Sequence, residues 1–128
     1  MISILVDKNK KFNFEFNAQF KYLNNEIIGF KLKNDGEVKI KFSFTNRDFE
    51  TMSKIIEDSS IINSVTGKPL LRSSLFTKLI VLNYIKDVQV ESETYNASFQ
   101  INNQNINNIH YDLIKFLAMK WLELTDGV

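Results

Sequence analysis

Apolar and polar residues alternate with a period of two over the first third of the chain. Phe12, Phe14, Phe16, Ala18, Phe20 and Tyr22 interleave with Asn13, Glu15, Asn17, Gln19 and Lys21. This is the pattern of a strand with one face on a core and the other in water. It predicts one long strand, or two halves bent near Asn17 and Ala18. A shorter alternation, Ile2, Ile4 and Val6 against Ser3, Leu5 and Asp7, predicts a strand before it. Asn24-Asn25 predicts a turn. Ile28, Phe30 and Leu32 resume the period as far as Asn34-Asp35-Gly36, and Val38, Ile40, Phe42 and Phe44 carry it back. Asp-Gly between two alternating runs signals a two-residue hairpin, because both central residues need positive φ.

The period then lengthens to that of a helix. Phe49, Met52 and Ile56 are spaced by three and four, which predicts a helix over 47–58 with Thr45 or Asn46 as its cap. Asp48 and Glu50 suit the positive end of its dipole. A loop is expected over 59–69. Leu75, Leu79 and Leu82, flanked by Phe76 and Ile80, predict a second helix capped by Ser73 or Ser74, with a buried strand as the alternative. Val88 and Val90, then Tyr95, Ala97, Phe99 and Ile101, predict a hairpin around 91–94. Asn107 or Asn108 is the expected cap of a last helix carrying Ile109, Leu113, Phe116, Leu117, Trp121 and Leu124, with Gly127 as its stop. The expected fold is α+β: an antiparallel β-meander, two helices, a β-hairpin and a C-terminal helix packed on the sheet. At 128 residues without a linker or repeat, the chain is expected to be a single domain, 1–128.

Composition removes whole classes of chemistry. The absence of cysteine excludes a disulfide framework, a thiol nucleophile and any cysteine-ligated metal. It fits a reducing compartment, and the first residues lack the pattern of a secretion signal, so a cytoplasmic location, or a viral particle assembled there, is expected. The densest apolar stretch, 75–85, is too short and too polar to span a bilayer. His110 is the only histidine, and no serine sits in a nucleophile elbow. Gly67-Lys68 lacks both the upstream glycine and the following Ser or Thr of a phosphate loop, since Ile62 and Pro69 occupy those places. Glu91 and Glu93 share one strand face near a turn, where solvation explains them better than a cation site does. The Phe-rich strand could stack bases only if its rings faced water, and a core-facing role is expected instead. No cofactor, no metal and no catalytic activity are expected, with a cryptic carboxylate-based enzyme as the remote alternative.

Two surfaces remain as candidates. Lys31, Lys33, Lys39 and Lys41 share one parity on the expected Asp-Gly hairpin, where four ammonium groups could grip phosphates. The near-balanced charge, 16 basic against 15 acidic residues, gives such binding no long-range support. The order of strands, helix and strands is similar to that of an OB-type barrel, apart from an extra helix between the strand groups. The last helix is apolar on more than one face, so it is either sandwiched within its own fold or docked on a partner, and Phe116, Trp121, Leu122 and Leu124 are the candidates for docking another protein or a second copy. Fifteen Asn and fourteen Lys against two Arg and three Ala suit an AT-rich genome. The expected role is a non-enzymatic interaction or assembly module, of the kind a phage or mobile element carries, with a small nucleic-acid-binding domain as the alternative.

Overall fold

The first long alternation forms one strand, β1 (Lys11–Leu23), and everything else is arranged around it. The structure, a computed structural model, describes residues 4–126. Asn24 and Asn25, both at positive φ, turn the chain into β2 (Glu26–Leu32). β3 (Val38–Thr45) follows, then α1 (Phe49–Ser59), the short strands β4 (Ser60–Ile62) and β5 (Pro69–Leu71), α2 (Ser73–Tyr84), β6 (Ile85–Glu91), β7 (Asn96–Phe99), a 3₁₀ turn at Ile106–Asn108, and α3 (Tyr111–Asp126). The fold is α+β, with a C-terminal helix against an antiparallel sheet. Residues 4–10 form no strand, so the expected first strand is absent there, and its Ile2 and Ser3 lie outside the described residues.

The five-stranded sheet has the order β2-β1-β3-β6-β7, every pair antiparallel. This corrects the expected meander. β2 and β3 do not pair, so there is no Asp-Gly hairpin between them. β1 is long enough to pair with β2 through its second half and with β3 through its first, and Ala18 is opposite both Leu32 and Val38. The connection 33–37 therefore carries the chain from one edge of β1 to the other. The Lys33 N–H donates to the Asn17 carbonyl at 3.4 Å, and the Asn17 side-chain amide donates to the Asn34 carbonyl at 3.0 Å. Gly36 crosses where a Cβ would overlap the Ala18 carbonyl oxygen, so this position needs glycine for close approach rather than for a turn. The sheet is open, with β2 and β7 at its edges, and is not an OB-type barrel.

One face of the sheet carries Phe16, Ala18, Phe20, Val38, Ile40, Val88 and Val90, all buried, and the helices pack on it. Edge strand β2 is tied to α3 by Asp112, whose Oδ2 accepts from the Phe30 N–H at 3.1 Å and meets the Lys21 ammonium at 3.7 Å. A carboxylate on an edge amide closes off that edge as a template for pairing.

The last helix is held by Trp121. Its ring is fully enclosed, stacks on Tyr84 at 4.3 Å between centroids, and donates Nε1–H to the Thr45 carbonyl at 3.0 Å. Arg47 lies over the other side of the indole at 5.0 Å and reaches Asp126 and Thr125 near the helix end. Truncating so enclosed a side chain costs about 3–5 kcal/mol. The helix itself starts at Tyr111. Asn107 and Asn108, expected as caps, lie in the preceding 3₁₀ turn.

α1 begins two residues later than expected because Asp48 is its cap, accepting from the Thr51 N–H at 2.9 Å. The Tyr84 hydroxyl donates to the other Asp48 oxygen at 3.2 Å. This pair fixes the rotation of the helix. Ile55 and Ser59 turn inward and Met52 packs against the core, while the two ends of the expected stripe turn out: Phe49 is 88% exposed and Ile56 48%. α2 has no side-chain cap from Ser73 or Ser74, and Arg72 precedes it.

Candidate functional site

The face of the sheet away from the helices is open, and its residues alternate with those of the core. Twist makes it concave, forming a trough of about 790 Å³ across β1, β3, β6 and β7. Its lining surface is largely apolar, with polar and charged side chains at either end. At one end Asp87 accepts from the Ser43 hydroxyl at 2.9 Å and the Gln100 amide at 3.1 Å, with the Lys11 ammonium at 3.4 Å. The Ser43 hydroxyl, foremost, and the Gln100 amide hold the Asp87 carboxyl below its ordinary value. At the other end Lys41 meets Glu91 at 3.5 Å, and Gln89 donates to the same carboxylate. Asp87 and Lys41 are therefore engaged with Lys11 and Glu91, whereas Glu15 lines the trough without an ion pair among the described residues. No imidazole faces them, and Ser43 donates to a carboxylate rather than to a base, so no activated nucleophile is formed. Among the described residues no group of three or more His, Asp or Glu is placed to hold a metal.

The nominated lysines share this open face, though not one hairpin. Lys31 is opposite Gln19, Lys39 opposite Asn17 and Lys41 opposite Glu15, so β1 runs between the two lysine-bearing strands. Lys33 lies just beyond β2, 4.0 Å from Asp35. Lys41 is paired with Glu91, which leaves Lys31 and Lys39 as the members of the set without a carboxylate within ion-pair distance among the described residues.

The last-helix nominees are placed differently from the expectation. Phe116 and Trp121 are enclosed in the chain's own core, Leu122 is half-buried, and Leu124 is 39% exposed. α3 packs against α2 and β2, and Trp121 bonds to the end of β3, so most of its apolar surface is covered within the chain. His110 is exposed, with its ring edge-on to Phe30 at 5.7 Å.

The most unusual surface falls where a loop was expected. β4 and β5 pair only with each other, opposing Ser60 to Leu71, Ile61 to Leu70 and Ile62 to Pro69. They form a two-stranded arm between α1 and α2. Arg72 anchors its root: its N–H donates to the Ser59 carbonyl at 2.7 Å and its guanidinium to the Asp58 carbonyl at 2.7 Å. The tip is folded on itself, with the Asn63 side chain accepting from the Val65 and Thr66 N–H groups and Gly67 at positive φ closing the turn. Paired residues share a face, so Ile61 and Leu70 cover one side and Ile62, Pro69 and Leu71 the other. Val65 is 92% exposed and Ile62 75%, and Ile61, Leu70 and Leu71 are each nearly half exposed. Lys68 is the arm's single charge. The sequence did carry a signal: Ile61-Ile62 and Leu70-Leu71 are β-prone pairs flanking Gly67. Adjacent apolar residues fit neither period, and reading them as loop discarded them.

Among the described residues no helix is long and apolar enough to cross a membrane. No protein-family model matches the chain, and searches of curated proteins and of solved structures return no match, so the sheet, the trough and the arm are interpreted from their own geometry.

Proposed function

We propose that this chain is a non-catalytic protein-interaction module whose docking element is the β4–β5 arm and whose sheet-and-helix body is the scaffold that presents it. The observation that carries this reading is an arm apolar on both faces whose strands pair only with each other and whose residues 61–71, Asn63 excepted, are exposed. An isolated two-stranded hairpin is marginal in water, and clustered exposed apolar side chains mark interaction surfaces. The trough supports the same reading indirectly, because Asp87 and Lys41 are already engaged in ion pairs. The composition suits an AT-rich genome, and the setting we favour is a phage or mobile element, where such a module acts in assembly or on a host system.

Affinity capture from the native host with the full chain tests this. The wild type should retain a discrete partner or a second copy of itself. The double variant Ile62→Asp/Val65→Asp, which touches no core residue, should lose it while keeping its thermal midpoint. Retention of the same partner by the double variant would overturn the arm's role.

A nucleic-acid reading keeps one specific observation in its favour, the unpaired Lys31 and Lys39 on the open sheet face. It requires binding that weakens steeply with salt.

A further inference from the structure

The arm is not the only uncovered apolar surface, and one of the others, on α1, leads directly to it. On α1, Phe49, Ser53 and Ile56 follow one another at four and three residues, which places them in one line along the helix. The next position in that line is Ser60, the first residue of the arm. The exposed stripe of Phe49 and Ile56 therefore runs to the arm's root. The core does not use this stripe, because Asp48 and Tyr84 fix the helix with Ile55 and Ser59 inward.

Resting on the reading of the arm as the docking element, we propose that its partner is a second copy of this chain. The arm of each copy lies on the α1 stripe of the other about a two-fold axis. A two-fold interface requires one chain to carry both complementary halves, and this chain does: a protruding apolar arm and an uncovered apolar stripe joined at the arm's root. The charges agree in sign. Lys68 is the arm's one charge, and Glu57 flanks the stripe one residue beyond Ile56. Neither has an ion pair among the described residues. The area agrees as well. Taking on the order of 200 Å² for a large side chain fully exposed, the five arm residues and two stripe residues expose on the order of 900 Å² per copy. A standard-size interface buries about 800 Å² on each partner.

Sedimentation equilibrium of the full chain tests the proposal. The wild type should sediment as a dimer, and Phe49→Asp should weaken self-association as strongly as Ile62→Asp/Val65→Asp, each on the order of a hundredfold. Far-ultraviolet circular dichroism should show unchanged folds, and Phe49→Ser and Val65→Ser repeat the test should an aspartate variant unfold. The pairing Lys68→Glu with Glu57→Lys should restore part of the affinity that either change alone removes. A wild type that remains monomeric overturns the proposal. A dimer indifferent to Phe49→Asp overturns it too. The underlying reading is judged separately. A monomer whose arm variants still lose a captured partner leaves the arm as a docking element for a different protein. A monomer with no arm-dependent partner defeats both.

Discussion

Asp48 concentrates more structural consequence than any other single residue. Its two oxygens hold the N–H of Thr51 and the hydroxyl of Tyr84, and Lys8 lies 3.5 Å away. Burial pushes its carboxyl upward, but the Thr51, Tyr84 and Lys8 contacts outweigh burial and hold it below the ordinary 3.8. Tyr84 moves the other way: burial, foremost, and the neighbouring carboxylate push its hydroxyl up to about 12 from 10.0. The two shifts act at opposite ends of the pH scale. A carboxyl depressed in the fold stabilises fully above 3.8 and loses that stabilisation as pH falls through its folded value. A phenol raised in the fold stabilises fully below 10.0 and loses that stabilisation as pH rises through about 12. Urea midpoints across pH should show Asp48→Asn flattening part of the acid limb, with the rest kept by Asp87. Tyr84→Phe should flatten the alkaline limb. Asp48→Ala should cost about 1–2 kcal/mol at neutral pH through the lost cap. An acid limb identical in Asp48→Asn and wild type would contradict this assignment.

At the scale of elements, the arm and the body are expected to separate energetically. Every arm residue from Ile61 to Leu71 except Asn63 is exposed, and the arm's own pairing is local. Replacing residues 61–70 with a short Gly-Ser loop should leave stability within about 0.5 kcal/mol, the range of surface changes remote from packed or capped groups. A fall of several kcal/mol in a denaturant titration would show that the arm is part of the core. Legibility also divides by element. The strands of the sheet could be read because half-buried strands print a period of two, and Phe12 to Tyr22 prints it without a break. Their order could not be read, because the register that makes β1 central depends on a crossing at Gly36, and Asp35-Gly36 has the same local sequence as a hairpin turn. The rotation of α1 was hidden for a similar reason. Phe49, Met52 and Ile56 form a proper helical stripe, but the bond between Asp48 and Tyr84, 36 residues apart, holds the helix with Ile55 and Ser59 inward, so that only Met52 of the stripe packs on the core. Of the candidate surfaces, parity places the lysines on one sheet face, whereas the sequence leaves Trp121 between internal burial and docking because nothing local reveals that Tyr84, Arg47 and Thr45 enclose it.

Over the whole molecule, charge gives little and shape gives more. The net charge is +1, and several lysines of the open face are neutralised in place by Asp87, Glu91 and Asp35. Long-range attraction to a polyanion is correspondingly weak. A random duplex mixed with the chain at low salt should show no retarded band, and a band that disappears as salt rises would favour the lysine face over the arm. What distinguishes the molecule is the distribution of apolar exposure: a body with a well-filled core, and a self-paired arm whose residues 61–71, Asn63 excepted, are exposed. The most direct test is site-specific photo-crosslinking in the native host, with the photoreactive residue at position 65 in the arm and, as the control, at position 13 on the sheet's solvent face. The arm position should yield one discrete adduct, of two copies of this chain or of the chain and one other protein, and the sheet position none. No adduct from position 65, or the same products from both positions, would contradict the assignment of the arm as the docking element.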